Sequence, residues 1–167
     1  MSNFITAEEL LAAARSEIAR LTPLEALSEM RAGAVLIDIR TTEQRDRDGF
    51  LPGAYEISRN VLEWRLDPYG EYRDPMIACL DRRVIVICDE GYQSSLAAAN
   101  LRRFGLDAAD VIGGVQAWRC EGLGLRQNRS KDPVDPTPSE QLGRGREAPA
   151  SLHIRRIDEE FGLAPTP

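Results

Sequence analysis

One cysteine of this chain lies in a sequence context that could make it reactive. Residues 84–87 are Val-Ile-Val-Ile, a β-branched run that predicts a strand buried on both faces, and Cys88 follows them directly. A short polar segment then leads into a Ser/Ala/Leu run at 94–99, which predicts a helix. The backbone N–H groups of a tight loop and of a helix N-terminus both favour negative charge. We therefore interpret Cys88 as a thiolate nucleophile.

The same cysteine also has a purely structural interpretation, because a free cysteine that ends a hydrophobic strand is often a small core residue. Gly91 favours the catalytic interpretation, since glycine accepts the positive φ that a tightly curled loop needs. Ser94 or Ser95 is predicted to cap the following helix. A cysteine at the carboxyl end of a strand also lies on the sheet edge where open α/β folds bind ligands.

Composition limits the classes of protein to consider. The chain has 167 residues with 43% hydrophobic content, which predicts one domain with appendages. Its net charge of −6 argues against nucleic acid or an anionic membrane as the main partner. No apolar run is long enough to span a membrane, and the N-terminus lacks the pattern of a signal peptide. We therefore expect a cytoplasmic protein.

The cysteine and histidine counts argue against a disulfide framework and against two kinds of metal site. Cys79, Cys88 and Cys120 are an odd number without a C-x-x-C pair, so neither a disulfide framework nor a zinc site is indicated. Free thiols fit a reducing compartment. His153 is the single histidine, which excludes a multi-histidine metal centre.

Helical and strand patterns alternate along most of the chain. Thr6 and Glu9 are spaced as a capping box that opens a first helix. This first helix is predicted to run over 6–21. Further helices are predicted over 22–33, 42–47, 58–66, 94–105 and 113–122, and a short one is predicted to open at Asp74. Strands are predicted over 34–39, 55–57, 84–87 and 109–112. This alternation predicts a three-layer α/β fold, a small, mostly parallel sheet flanked by helices on both faces.

The two ends of the chain differ in character from its middle. Residues 126–149 are rich in Pro, Gly, Arg, Ser and Asp, which is typical of a linker or extended arm. Residues 151–161 regain helical spacing and predict a short amphipathic helix, which could dock on its own domain or on a partner. We divide the chain into an N-terminal helical extension (1–21), a core domain (22–125) and a C-terminal arm (126–167). The two extensions are candidates for a homodimer contact.

Three stretches of the core domain resemble one family, the rhodanese-like domains. The first is the family's amino-proximal signature, which residues 36–54 resemble. In it, Asp-x-Arg with a glutamate three residues on (36–43) is followed by a Gly-His-Ile-x-Gly-Ala turn (49–54), with Phe50 in the histidine position. Residues 113–118 match its Gly-Gly-x-x-x-Trp ending, and Cys88 takes the place of the cysteine that begins its active-site loop. The resemblance covers about residues 22–125.

This resemblance implies a fold, an activity and a set of site residues. Rhodanese-like domains are sulfurtransferases, so Cys88 would take a sulfane sulfur from a donor as a persulfide and pass it to a thiol or to cyanide, without a metal or organic cofactor. The backbone N–H groups of the loop would cradle the sulfur. The substrate-binding residues it implies are Asp89, Glu90, Gly91, Tyr92, Gln93, Ser94 and Ser95. Asp38, Arg40 and Glu43 would support the loop edge through ion pairs and hydrogen bonds.

The loop departs from the pattern of thiosulfate-handling members of the family. These commonly have an arginine five residues after the cysteine, where this chain has Gln93. Asp89 and Glu90, if they face the pocket, would disfavour the thiolate and repel anionic donors, whereas outward-facing carboxylates would be screened by solvent. The donor is therefore a persulfide or thiosulfate, and of the two we favour the persulfide of a small thiol or of a protein. Tyr92 and Gln93 are expected to shape the entrance.

Two other classes of function stay open at this point. Cysteine phosphatases use a related loop, but their signature requires an arginine six residues after the cysteine, where this chain has Ser94. The stronger alternative is a noncatalytic rhodanese-like module that binds a partner protein and uses Cys88 as a redox sensor.

Overall fold

The fold is a single parallel sheet covered by helices on both faces, as predicted. The computed structural model describes residues 4–127. The strands are β1 (Ala19–Leu21), β2 (Val35–Asp38), β3 (Tyr55–Glu56), β4 (Val84–Ile87) and β5 (Ala108–Val111), in the spatial order β1-β5-β4-β2-β3 and all parallel. The helices are α1 (Ala7–Ser16), α2 (Pro23–Arg31), α3 (Thr42–Asp48), α4 (Leu62–Leu66), α5 (Gln93–Arg102) and α6 (Gly114–Cys120), and a 3₁₀ turn, Arg59–Val61, precedes α4.

Strand β4 is the centre of the sheet and ends directly before Cys88. It pairs with β5 on one side and with β2 on the other, and its four side chains are fully buried. Val84 and Val86 pack with the layer formed by α4 and α5, whereas Ile85 and Ile87 pack with α2 and α6. Each such buried side chain stabilises the fold by about 1.5–3 kcal/mol. The predicted strand buried on both faces is confirmed, and its carboxyl end delivers Cys88 to the middle of the sheet edge.

The predicted first helix is correct at its start and wrong at its end. Thr6 and Glu9 form the expected capping box, but α1 ends at Ser16. Residues 19–21 instead form the edge strand β1, in which Arg20 lies beside Asp110 of β5. The helical spacing of apolar residues continues through this segment, so the local pattern could not reveal a strand that depends on pairing with β5, a distant part of the chain. Thr22 then caps α2, which confirms the predicted start of the second helix.

The short helix predicted to open at Asp74 is also absent. The Asp74 carbonyl accepts hydrogen bonds from the N–H groups of Ile77 and Ala78, which closes a single turn, and its side chain accepts from Met76 N–H. No helix follows this turn in the described structure before β4. The turn alone is enough to bury Ile77, whereas Leu80, expected on the apolar face of a helix, is half exposed.

The chain after α6 returns to the middle of the domain. Phe50 and Arg126 form an antiparallel bridge with backbone hydrogen bonds of 2.7 and 2.9 Å. The predicted arm beyond residue 127 and the amphipathic helix at 151–161 lie outside the described residues. Within residues 4–127, no helix combines the length and the apolar character needed to cross a membrane.

Candidate active site

The loop between β4 and α5 gathers hydrogen-bond donors around the sulfur of Cys88. The Sγ atom lies 3.1 Å from the backbone nitrogen of Gly91 and 3.4 Å from that of Ser94, and both N–H groups donate to it. The Ser94 hydroxyl oxygen is 3.3 Å from the same sulfur. Cys88 is only 6% exposed, so these groups act in a partly desolvated site where hydrogen bonds to an anion are strong. The arrangement can stabilise a sulfur anion.

Neither serine caps α5, which corrects the sequence prediction. The helix begins at Gln93, and the residue before it, Tyr92, makes no side-chain cap. The sulfur of Cys88 accepts the N–H of Ser94, the second residue of the helix, and therefore occupies the place of a capping oxygen. Both serine side chains are buried, and the Ser95 hydroxyl lies within hydrogen-bond distance of the Gly91 carbonyl and the Asp110 carboxylate, not of the helix end.

The N-terminus of α6 fixes the outer side of the cysteine loop. Val115 N–H donates to the Cys88 carbonyl at 2.9 Å, and Gln116 N–H donates to the Asp89 carbonyl at 3.1 Å. A β-carbon on Gly114, whose φ is +59°, would lie 2.5 Å from both carbonyl oxygens. The glycine of the Gly-Gly motif therefore allows α6 to approach the loop closely enough to bind it.

Gly91 has the positive φ that the sequence predicted, +81°. A β-carbon at this position would lie 2.8 Å from the nitrogen of Gly113 and 3.1 Å from the carbonyl oxygen of Val111. The residue therefore needs to be glycine for two reasons, its backbone conformation and its contact with the turn before α6.

Asp89 and Glu90, the two acids after the cysteine, direct their side chains toward other helices or toward solvent. Asp89 turns toward α3 and α6, where it accepts hydrogen bonds from Arg47 Nη2 at 3.0 Å and from Gln116 Nε2 at 2.8 Å. Glu90 is exposed. Hydrogen bonds to Asp48 and Asp89 raise the pKa of Arg47, so this guanidinium stays charged beside both carboxylates. The charge of Asp89 is thus paired on the outside of the loop.

Asp38 and Arg40 form a buried ion pair at the end of β2. The Arg40 guanidinium contacts the Asp38 carboxylate through Nε at 3.0 Å and Nη2 at 2.8 Å, and Nη2 also donates to the Gly49 carbonyl at 2.9 Å. Both side chains are almost completely buried. The pair therefore ties the end of β2 to the end of α3, close to the sheet edge that carries the loop.

Glu43, which the resemblance placed in the same supporting group, lies apart from that ion pair. It is exposed in the first turn of α3, where hydrogen bonds from its own backbone N–H and from the Thr41 hydroxyl lower its pKa. The contacts of α3 with the cysteine loop are made by Gln44 and Arg47, which both reach Asp89.

The remaining predicted site residues lie at the mouth of the loop or beneath it. Tyr92 is 55% exposed and Gln93 is exposed. Beneath them, Asp110 of β5 is fully buried, pairs with Arg20 at 2.9 Å, and accepts the Ser95 hydroxyl at 2.6 Å. An aspartate inside the otherwise apolar strand Ala-Ala-Asp-Val is the sequence signal that could have indicated a buried polar partner.

Arg15 of α1 also contacts the cysteine loop, which the sequence does not predict. Its Nη2 donates to the Gly91 carbonyl at 3.0 Å and its Nε to the Ser95 hydroxyl at 3.2 Å. Its guanidinium carbon also lies 5.6 Å from the centroid of the Tyr92 ring. No local pattern relates an arginine in the first helix to a loop more than seventy residues later, so only the packing of α1 on α5 reveals it.

The fold and this loop define a parallel α/β domain with a cysteine held at the carboxyl end of its central strand. Within residues 4–127, no cluster of His, Cys, Asp and Glu side chains could hold a metal ion. The model of the rhodanese-like domain family matches residues 22–121, and the chain belongs to that family.

Relatives of known sequence or structure agree with this assignment. Thiosulfate sulfurtransferase GlpE of Pseudomonas syringae is 31% identical over 105 residues, which cover 62% of this chain and 90% of that protein. A Rhodopseudomonas palustris protein of unknown function, described as a possible tyrosine phosphatase, is 32% identical, with a TM-score of 0.67 over 75% of this chain and 99% of that one. The polysulfide-sulfur transferase of Wolinella succinogenes, 23% identical, shares the fold with a TM-score of 0.55 over 72% of this chain and 87% of its own. The relatives support a sulfurtransferase-like domain.

Proposed function

We propose that this protein is a sulfurtransferase that carries a sulfane sulfur on Cys88 as a persulfide. The observation that supports this most directly is the convergence of the Gly91 and Ser94 N–H groups on the Cys88 sulfur. Donors placed in this way stabilise the thiolate before transfer and the negative charge on the outer sulfur after it. The names of the sulfurtransferase relatives point to the same class of reaction.

The reaction has two displacement steps. In the first, the Cys88 thiolate attacks the outer sulfur of the donor, a new S–S bond forms on Cys88, and the donor's own S–S bond breaks to release a thiolate, or sulfite if the donor is thiosulfate. In the second, an acceptor thiolate or cyanide attacks the outer sulfur of the persulfide. The Cys88 thiolate is then regenerated, and the product is a new persulfide or thiocyanate.

The donor we propose is a persulfide, either of a small thiol or of a protein. The cysteine loop offers the neutral, exposed Gln93 where an arginine would hold an anionic sulfonate end. Because Asp89 is paired with Arg47 outside the loop, repulsion by that carboxylate contributes little to the preference. The proposal therefore depends on Gln93, and the thiosulfate sulfurtransferase name of the relatives makes thiosulfate the donor to compare.

A phosphatase function fits the loop less well. The Rhodopseudomonas palustris relative is described as a possible tyrosine phosphatase. Here the position six residues after the cysteine is Ser94, whose buried hydroxyl contacts the sulfur itself. A serine hydroxyl brings no positive charge to the three oxygens of a phosphoryl group, so the charge of the transferred group would lack its main partner.

The test is steady-state sulfur transfer to cyanide from glutathione persulfide and from thiosulfate. We expect a higher kcat/KM for the persulfide and no turnover of either donor by Cys88→Ser, while Cys79→Ser and Cys120→Ser keep the wild-type rate as matched controls. A faster reaction with thiosulfate would overturn the donor proposal and leave the sulfurtransferase. If neither donor reacts, the enzyme proposal fails and the redox-sensing module becomes the better account of Cys88.

A further inference from the structure

Helix α1, which precedes the region matched by the family, brings an arginine to the cysteine loop. The Thr6 and Glu9 capping box defines the start of the helix, and Ala14 is buried where α1 packs against α5. Arg15 follows Ala14 and is partly buried beside the first turn of α5. Its position therefore comes from helix packing and not from the loop sequence.

The guanidinium of Arg15 is a principal donor to the Gly91 carbonyl. Arg15 Nη2 lies 3.0 Å from that oxygen, and the Ser95 hydroxyl oxygen lies 3.1 Å from it. The Ser95 hydroxyl has a single proton, and the carboxylate of Asp110, at 2.6 Å, is the closer and charged acceptor for it. With that proton committed to Asp110, Arg15 is the side chain within the described structure that donates to the Gly91 carbonyl.

Holding this carbonyl fixes the direction of the next N–H group. The peptide bonds of the described residues are all trans, so the Gly91 carbonyl and the Tyr92 N–H point in opposite directions. With the carbonyl directed to Arg15, the Tyr92 N–H is directed away from α1. Arg15 also lies against the Tyr92 ring, at a distance typical of a cation–π contact, which restrains the same residue from its side chain.

We propose that Arg15 is a positioning residue for the cysteine loop, which orients the Gly91–Tyr92 peptide so that the Tyr92 N–H joins those of Gly91 and Ser94 in facing a sulfur bound to Cys88. The inference rests on the proposed sulfur transfer for its catalytic consequence. It assigns the orientation of one N–H group of the loop to a residue outside the loop and makes the first helix part of the sulfur site, although α1 lies outside the matched region.

The kinetic test compares Arg15→Met with Arg103→Met in the full chain. Arg103 lines a groove between α1 and α5, and replacing either arginine by methionine makes the same change in size and charge. For transfer from glutathione persulfide to cyanide, we expect Arg15→Met to lower kcat about tenfold with KM changed less than about twofold, because the lost orientation affects the bound sulfur and not donor encounter. Arg15→Lys should recover part of kcat, since an ammonium can still donate to the Gly91 carbonyl. Equal kinetics of Arg15→Met and Arg103→Met would overturn the inference.

Amide NMR spectra test the orientation itself. On loading wild-type protein with sulfur from glutathione persulfide, the amide resonances of Gly91, Tyr92 and Ser94 should all shift. In Arg15→Met the shift of Tyr92 should be lost while that of Gly91 remains, and an undiminished Tyr92 shift would contradict the inference. If wild-type protein does not load sulfur, the proposed function fails, and the reduced proteins still decide the positioning role. An identical Tyr92 amide resonance in wild type and Arg15→Met would then overturn it.

Discussion

Gly114 shows how one residue without a side chain controls the geometry of the cysteine loop. Its absent β-carbon leaves room for the Cys88 and Asp89 carbonyls to reach the N-terminus of α6. With these carbonyls bound on the outside, the N–H groups that follow them in the loop are turned away from α6. The motif glycine therefore belongs to the site as well as to the fold.

Replacing Gly114 by alanine should destabilise the protein and disturb the loop together. We expect the free energy of unfolding to fall by about 3 kcal/mol, from a positive φ and two contacts of 2.5 Å with backbone oxygens. Gly122→Ala is the matched control, because Gly122 also has a positive φ, +72°, but nothing lies within 4 Å of the added carbon, so we expect about 1 kcal/mol. Urea unfolding measures both values. Equal losses of stability in the two variants would show that the close approach of α6 to the cysteine loop does not require glycine.

Residue types and their local order predicted part of this site. Cys88 and the positive φ of Gly91 follow from a buried strand that enters a tight loop. The predicted cap of α5 is wrong, because the Cys88 sulfur, and not a serine hydroxyl, accepts the N–H of Ser94. The sequence does not distinguish these two acceptors, since both serines lie near the start of the helix. Arg15 could not be predicted, since its contact with Gly91 depends on how two helices pack.

Helices α3 and α6 are joined by a cluster of charged and polar side chains around Asp48. The Asp48 carboxylate accepts from Arg47, from Gln116 Nε2 at 3.1 Å and from Arg119 Nη1 at 3.3 Å. The hydrogen bond from Arg47, together with those contacts, holds the pKa of Asp48 below its ordinary value. The junction also supports Asp89, because Arg47 and Gln116 bind both carboxylates.

The lowered pKa of Asp48 predicts a pH-dependent contribution to stability. A carboxyl group with a lower pKa in the folded state stabilises the protein fully above its unfolded pKa of about 4, and this stabilisation disappears as the pH falls through the folded value. Asp48→Asn should therefore reduce the free energy of unfolding by about 1 kcal/mol at pH 7, and less as the pH drops below about 4.

Asp46→Asn is the matched control for this experiment, since Asp46 is an exposed residue of the same helix. Its replacement should change stability little at any pH. Chemical denaturation of wild type and both variants across pH 2–8 measures the difference. If the difference in the free energy of unfolding between wild type and Asp48→Asn stays constant down to the lowest pH, the carboxylate charge contributes nothing to stability.

Most elements were predictable, and the exceptions have a common physical cause. Strand β4 and its neighbours follow from short apolar runs bounded by turns, and α2 from its cap and Pro23. Strand β1 was predicted as helix because an edge strand of three residues is defined by its partner, β5, and not by its own sequence. The turn at Asp74 was predicted as a helix because its capping pattern is the same for one turn as for several.

For the whole molecule, the first segment of the chain is continuous with the domain that the family defines. The matched region begins at residue 22, yet β1 extends the sheet beside β5, and Arg20 pairs with the buried Asp110. Residues 4–21 therefore complete the sheet edge beneath the cysteine loop. The expectation that this segment mediates a homodimer contact stays a prediction.

A chain that begins at Thr22 should be much less stable than the full protein. It loses the Arg20 partner of Asp110, which costs roughly 3 kcal/mol because a buried carboxylate is left without its counter-charge. It also leaves the β5 edge unpaired, which favours aggregation. Urea unfolding and light scattering measure both effects, and Asp110→Asn in the truncated chain should restore part of the lost stability. An unchanged unfolding midpoint after truncation would show that the first segment is an independent appendage.

The most direct test of covalent sulfur transfer is intact mass spectrometry of the reduced protein after a single exposure to glutathione persulfide. We predict a gain of one sulfur atom, located on Cys88 by peptide mapping, absent in Cys88→Ser and removed by cyanide with formation of thiocyanate. Sulfur found on the half-buried Cys79 or the exposed Cys120 instead, or no gain of mass under conditions in which Cys88 is reduced, would contradict the account.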